Sequence, residues 1–220
     1  MKRSAPLVTL AVVAVLGGAL LAVDMLNTPT AAPPAQAAVS QAPLPAPAEA
    51  APAPTEAAPA VTEKVYAGRS SGNEVTVAVA VKDGRAVGYV CDGKKVEAWL
   101  EGTVEGTTMS LTGPGGALVT GTVDDAASFG IVGAGGKKWP YSAKAVVAPE
   151  GIYRGRADVR GVTNRIGWIV LDGTQTGVIE RGGTRSPAPQ LDPSNPGGLT
   201  VDGAPVTVTA VTGGEEVVVS

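Results

Sequence analysis

Between residues 63 and 181 the apolar positions form short segments, which turn residues interrupt roughly every 8–12 positions. No segment has the 3.6-residue apolar period of an amphipathic helix, so little helix is expected. All the aromatic residues fall in this region, from Tyr66 to Trp168. The sequence therefore predicts an all-β domain, an antiparallel meander that closes into a small barrel or sandwich.

Two Asp-Gly dipeptides, Asp83-Gly84 and Asp92-Gly93, suit two-residue hairpin turns in which both residues have positive φ. The first turn places Ala80 opposite Val87, and the second places Tyr89 opposite Val96. Because a slip of one residue exchanges the two faces of a strand, these registers decide which face is the core. The predicted core face carries Ala78, Ala80, Val87, Tyr89, Cys91, Val96, Ala98 and Leu100, and the face with Val77, Val79, Val81, Lys95, Glu97 and Trp99 is only partly covered.

A third dipeptide, Asp172-Gly173, predicts another hairpin. It sets Arg165 opposite Glu180 and Trp168 opposite Gly177, and both pairings favour a sheet. The folded domain is thus expected over residues 63–220, with a main sheet at 63–181 and a Pro-rich loop at 182–198. Residues 199–220 are expected to form terminal strands, which either join the same sheet or make a separate hairpin.

The N-terminal region has the pattern of a membrane span. Lys2 and Arg3 precede residues 4–23, which carry no charge and would extend about 30 Å as a helix. Positive charge stays on the cytoplasmic side, so residues 1–27 are predicted to be a transmembrane signal anchor with the later domain outside the cytoplasm. The alternative is secretion after cleavage near Ala37, at the tripeptide Ala35-Gln36-Ala37.

Residues 28–62 are rich in Ala and Pro and contain nine of the eighteen prolines. Such a segment buries too little apolar surface to offset the entropy of ordering, so a disordered, partly extended linker is expected. It would serve as a stalk between the membrane and the domain, or simply as a passive connection.

Composition excludes several kinds of chemistry. The chain of 220 residues has no His, so catalytic triads and histidine metal sites are excluded, and no catalytic residue, metal or cofactor is assigned. A net charge of −3 gives no reason to expect a nucleic-acid partner. Cys91 is the single cysteine, which excludes an internal disulfide, and burial as a small apolar residue is expected.

Arginines form one candidate binding surface. Arg154, Arg156, Arg160 and Arg165 make the one cluster of like charge, interrupted by Asp158. In a strand, residues 154, 156, 158 and 160 would project from one face. This surface is predicted to contact an anionic envelope polymer or lipid headgroups. The simpler interpretation is the solvent face of an amphipathic strand.

A second candidate surface combines carboxylates with an aromatic ring. Glu97, Trp99 and Glu101 share one face of a predicted strand and resemble a sugar-stacking strip. Paired carboxylates also support glycoside hydrolysis, a reaction that needs no His. Solvated charge on a sheet surface is the simpler interpretation.

Residues 77–102 (VAVAVKDGRAVGYVCDGKKVEAWLEG) resemble exported, membrane-anchored β-domain proteins of actinobacteria that have no assigned activity. The resemblance implies location and architecture and carries over no catalytic residue. The expected function is a non-enzymatic, membrane-tethered binding or interaction module outside the cytoplasm, with an envelope polymer or protein as partner. Alternatives are a carboxylate-based envelope glycan hydrolase using Glu97 or Glu101, and a small lipid-binding barrel lined by Tyr89, Val96 and Leu100.

Overall fold

The computed structural model of this chain describes residues 62–217, whose regular elements are β-strands and two short 3₁₀ turns, Pro114–Gly116 and Pro196–Gly198. The predicted anchor and nearly all of the predicted linker lie outside the described residues. Across residues 62–217, no helix is both long and apolar enough to cross a membrane.

Eight consecutive antiparallel strands form a closed barrel, in which β8 returns to pair with β1. This confirms the all-β prediction and shows that the meander closes as a barrel. The strands are β1 (Glu63–Ser70), β2 (Thr76–Lys82), β3 (Arg85–Cys91), β4 (Glu97–Glu105), β5 (Thr108–Gly113), β6 (Ala117–Val123), β7 (Ala127–Ala134) and β8 (Lys137–Val146).

The remaining strands form a second, five-stranded sheet and a small hairpin. The sheet has the order β12-β11-β10-β9-β15, so the last strand within residues 62–217 joins it beside β9. Residues 63–181, assigned above to one main sheet, thus contribute to two sheets, and the Pro-rich segment contains an edge strand. The strands are β9 (Gly151–Val159), β10 (Val162–Leu171), β11 (Thr174–Arg181), β12 (Thr184–Pro187), β15 (Thr207–Ala210) and the hairpin β13 (Thr200–Val201) with β14 (Ala204–Pro205).

Two of the three Asp-Gly turns have the predicted geometry. Asp83 and Gly84 both have positive φ, and Ala80 faces Val87 as expected. The Asp172-Gly173 turn likewise sets Arg165 opposite Glu180 and Trp168 opposite Gly177. These turns were predictable because their geometry depends on the two turn residues themselves.

The register predicted from Asp92-Gly93 is wrong, because Tyr89 faces Trp99 rather than Val96. The Asp92 carboxylate accepts hydrogen bonds from the amides of Lys94, Lys95 and Val96 at 2.7, 2.8 and 2.9 Å. This side-chain capture stabilises a five-residue loop in place of a two-residue turn. The shift of three positions is odd, so Ala98 and Leu100 move to the face opposite Tyr89.

Both faces of β2 and β3 are buried, which corrects the expectation of one core face and one partly covered face. Val77, Val79 and Val81 point into the barrel, where side chains such as Leu100 and Leu111 fill the interior. The other face lies outside the barrel but under the second sheet. This outer cluster includes Ala78, Ala80, Val87, Tyr89 and Cys91 from the barrel and Ile152, Ile169, Leu171 and Val178 from the sheet.

The filled interior argues against the lipid-binding barrel. Of the residues proposed to line a lipid cavity, Leu100 lies fully buried in the interior cluster, whereas Tyr89 lies on the outer face of the barrel. Packed interiors are typical of barrels of this strand number that hold no ligand.

Tyr89 connects the barrel to the second sheet. Its side chain is completely buried, and its hydroxyl lies 3.2 Å from the carbonyl oxygen of Gly167 on β10. A Cβ atom at position 167 would lie 2.2 Å from the ring carbon Cζ of Tyr89. The ring therefore lies directly against the β10 backbone, and only glycine leaves room for it.

We expect Gly167→Ala to destabilise the fold by about 3 kcal/mol, because the new methyl group overpacks against a buried ring that has no free space to enter. Chemical denaturation measures this change. Gly197→Ala is the matched control, since a Cβ there meets nothing within 4 Å, and it should change stability by no more than about 0.5 kcal/mol. Equal stability of the two variants would contradict the assigned packing of Tyr89.

Candidate binding cleft

Two adjoining cavities lie between β4 of the barrel and the second sheet. The larger has a volume of about 660 Å³ and the smaller about 360 Å³. Trp99, Arg165 and Val217 line both cavities. We refer to the two together as the cleft.

The cleft forms where the surface between barrel and sheet changes from apolar to charged. Along β9, residues two apart share a face, so Ile152 is followed on the barrel side by Arg154 and Arg156. Ile152 packs in the cluster under the sheet, whereas both arginines line the larger cavity. Burying unpaired guanidinium groups is costly, so the two layers stay apart at this end.

The larger cavity has an excess of positive charge. Arg154, Arg156 and Arg165 line it, and Asp158 is the acidic residue among its lining side chains. Arg156 lies 3.6 Å from Asp158, an exposed ion pair of small energetic value. Among residues 62–217, the guanidinium group of Arg165 has no hydrogen-bond or ion-pair partner, although its backbone pairs within the sheet. The cavity can therefore offer guanidinium donors to an anion.

Trp99 gives the cleft a flat apolar surface. Its ring lies 4.3 Å from the Tyr89 ring, centroid to centroid, at an interplanar angle of 33°. Because Tyr89 is fixed against Gly167, this contact also fixes the orientation of Trp99. A half-buried indole between polar groups is suited to contact the face of a sugar ring.

Glu97 lies in the wall of the smaller cavity with its side chain only 5% exposed. The Tyr89 hydroxyl lies 3.3 Å from Glu97 Oε1, and Arg185 Nε lies 3.6 Å from Oε2. Glu97 Oε2 is buried and has no hydrogen-bond partner among the described residues.

The surroundings of Glu97 change its acidity. Burial raises the pKa of the Glu97 carboxyl to about 7, against the opposing effect of the Arg185 guanidinium. The charge of Glu180 adds to the rise, and the hydrogen bonds from Tyr89 and Trp99 oppose it. Glu97 therefore takes up a proton near neutral pH, where ordinary glutamates are ionised.

Residues 216–217, the last of the described residues, complete the wall of the cleft. The Glu101 carboxylate accepts a hydrogen bond from the amide of Val217. Arg154 donates to the carbonyl oxygen of Glu216 at 3.0 Å. The segment thus bridges β4 of the barrel and β9 of the sheet.

The two surfaces predicted separately from the sequence meet in this cleft. Arg154 and Arg156 line its larger cavity, Glu97 its smaller cavity, and Trp99 both. Glu101 contacts the segment that bounds the cleft. Arg160 is the exception: it lies exposed in the turn after β9 with φ 50°, so it does not continue the strand face as predicted.

Arg185 and Val217 also line the cleft, although the sequence did not predict them as site residues. Arg185 lies in β12, within the segment predicted to be a loop, and reaches Glu97 through the pairing of β12 with β11. Val217 comes from the end of the described chain. No local pattern marks either residue, because tertiary packing alone brings them to β4.

Neither a reactive thiol nor a metal site is found among the described residues. Cys91 is completely buried, and burial raises the pKa of its thiol to about 12, so it stays protonated and unreactive. In the part of the chain that the structure describes, no three His, Cys, Asp or Glu side chains converge as metal ligands do.

Comparison with known proteins gives no relative for this chain: no family model, curated protein or solved structure matches it. The cleft therefore has to be interpreted from its own residues.

Glu97 should make stability depend on pH. Since its pKa is about 7 when folded and near 4.5 when unfolded, the folded state binds its proton more tightly. Its contribution to stability is therefore present below pH 4.5, falls as pH rises to 7, and is lost above that. We expect Glu97→Gln to remove roughly 2–3 kcal/mol of the stability difference between pH 5 and pH 8.

Chemical denaturation of wild type and variant at the two pH values measures this effect. The same substitution at the exposed Glu105 is the control and should keep the wild-type pH profile. Parallel pH profiles for wild type and Glu97→Gln would show that the carboxyl is not in the buried environment described.

Proposed function

We propose that this protein is a membrane-tethered binding module without catalytic activity, and that its cleft binds an acidic glycan of the cell envelope. Residues 1–27 would anchor it and residues 28–62 would hold the β-domain away from the membrane on the outer side. Release after cleavage near Ala37 is the alternative fate of the anchor.

The observation that carries the proposed ligand is the convergence of three arginines on one indole. Arg154, Arg156 and Arg165 line the same cavity as Trp99. Guanidinium groups bind carboxylates through paired hydrogen bonds, and an aromatic face packs against a sugar ring. A cavity of about 660 Å³ is also within the ~300–1,000 Å³ usual for small-molecule sites.

Acidic glycan is favoured over lipid headgroup because of Trp99. An acyclic headgroup such as that of phosphatidylglycerol would use the arginines but offers no ring to pack on the indole, which is held in position by Tyr89. The guanidinium groups alone do not distinguish these two anions. Binding of an acidic oligosaccharide and binding of anionic phospholipid vesicles therefore have to be measured side by side.

Glycan hydrolysis by Glu97 is the second candidate, supported by the raised pKa of this buried carboxyl, a property of catalytic acids. The geometry of Glu101, the second carboxylate of this hypothesis, is less favourable. Glu101 lies four residues along the same strand, about 13 Å away along the backbone. Glycosidase carboxyl groups lie roughly 5–9.5 Å apart, and Glu101 is already bonded to Val217. We therefore favour binding without hydrolysis.

Arg165→Gln in the full-length chain should weaken binding of an oligogalacturonate about tenfold, because it removes a guanidinium with no partner of its own among residues 62–217. Titration calorimetry at two salt concentrations measures the loss. Arg160→Gln removes the same charge from a turn outside the cleft and should bind as wild type does.

Equal losses in the two variants would indicate non-specific attraction and contradict the cleft as the site. Vesicles of anionic phospholipid are the second ligand. Arg165-dependent binding to vesicles, with no binding to the oligogalacturonate, would indicate that the ligand is a lipid headgroup rather than a glycan. Breakdown products of the oligogalacturonate that disappear in Glu97→Gln would favour the hydrolase.

The proposed anchor predicts that the native protein remains in the membrane fraction after an alkaline wash and keeps residues 1–37. Intact mass measurement tests this directly. A soluble chain that begins at Ala38 would favour secretion after cleavage instead.

A further inference from the structure

Residues 212–217 make a tight turn after β15 and then border the cleft at Val217. Val211 is buried, and its amide donates to the carbonyl oxygen of Ile152 at 2.9 Å. The Glu215 carboxylate then closes the turn by accepting hydrogen bonds from the Thr212 amide and hydroxyl and from the Gly213 amide, at 2.8 to 2.9 Å. We call residues 212–217 the strap.

The strap occupies polar groups that face the cleft. Arg154 donates to the Glu216 carbonyl oxygen, and Glu101 accepts from the Val217 amide. The Val217 side chain lines both cavities at the point where they adjoin. Of the three arginines of the larger cavity, Arg154 is thus already engaged by the strap.

The strap is held by side-chain hydrogen bonds and by the packing of Gly213, and not by strand pairing. It follows β15, which ends at Ala210, and no strand pairing includes its residues. Gly214 and Glu216 are exposed, and Val217 is only partly buried. A segment outside the strand pairing opens more readily than the paired strands around it.

We infer that the strap is an internal competitor of the ligand, which occupies Arg154 and Glu101 until a bound glycan displaces it. This inference rests on the proposed function of the cleft. An acceptor oxygen of the ligand would replace the Glu216 carbonyl at Arg154, and a hydroxyl donor would replace the Val217 amide at Glu101. An acidic glycan carries both kinds of group. Moving Val217 would also join the two cavities.

Gly213 provides a way to displace the strap without touching the cleft. Its φ is 105°, and a Cβ there would lie 2.7 Å from the carbonyl oxygen of Ala80 and 2.9 Å from the amide nitrogen of Lys82. Any side chain would push the turn away from β2. At the neighbouring Gly214, a Cβ would make only an ordinary contact of 3.5 Å with the Lys82 side chain.

Gly213→Ala in the full-length chain should increase the affinity for oligogalacturonate roughly tenfold, within the usual range of coupling between two sites. Hydrogen exchange at the amides of residues 212–217 should become faster in the same variant. Gly214→Ala is the control and should leave both measurements unchanged.

Glu215→Ala frees the strap by a second route, because it removes the turn's hydrogen bonds without introducing a clash. Glu216→Ala is its control for charge, since that side chain is exposed. Tighter binding in Gly213→Ala and Glu215→Ala, and not in the controls, supports the inference.

Two results would overturn it. Faster exchange with unchanged affinity, in a protein whose wild type binds the oligogalacturonate, would show that the strap does not compete, and would leave the proposed function intact. No binding by wild type or by either strap variant would reject the proposed ligand together with its regulation.

Discussion

The arrangement of the two sheets depends on the burial of Tyr89 between them. The ring lies on the outer face of the barrel, completely enclosed, with the glycine backbone of β10 against it. The Trp99 ring lies tilted against the Tyr89 ring, and the Tyr89 hydroxyl lies 3.3 Å from Glu97 Oε1. One side chain therefore sets the distance between the layers and positions two residues of the cleft. An aromatic ring is suited to this task because its large apolar area is buried without many rotamers being lost.

The cleft follows from the same interface. Where both layers present apolar side chains, such as Val87 and Ile169, they pack without a gap. Where β9 and β10 continue with arginines, removing the guanidinium groups from water would cost more free energy than packing the two layers together would gain. The layers therefore separate there. Glu97 lies at this boundary, which explains why its carboxyl is buried yet close to Arg185. The lining of the cleft and the core are thus consecutive parts of a single sheet face.

The sequence predicted the structure correctly where that structure depends on neighbouring residues. The Asp83-Gly84 and Asp172-Gly173 turns fix their own registers, and two-residue alternation places Arg154 and Arg156 on one face. The prediction failed at Asp92, whose side chain captures three amides and changes the loop length. That error reversed the faces of β4.

Other parts of the cleft were not accessible to sequence analysis. The meeting of the arginines with Trp99 depends on how the second sheet packs against the barrel, which no local pattern specifies. Arg185 and the strap approach from distant segments for the same reason. The roles of residues 1–27 and 28–62 stay predictions, since residues 1–61 lie outside the described part of the chain.

The position of Cys91 has a practical consequence. Its thiol is enclosed between the layers beside Tyr89 and stays protonated, so oxidants and alkylating reagents in solution cannot attack it while the layers are closed. The sole sulfhydryl group of the protein is therefore a natural probe: its rate of modification reports how often the barrel and the second sheet come apart.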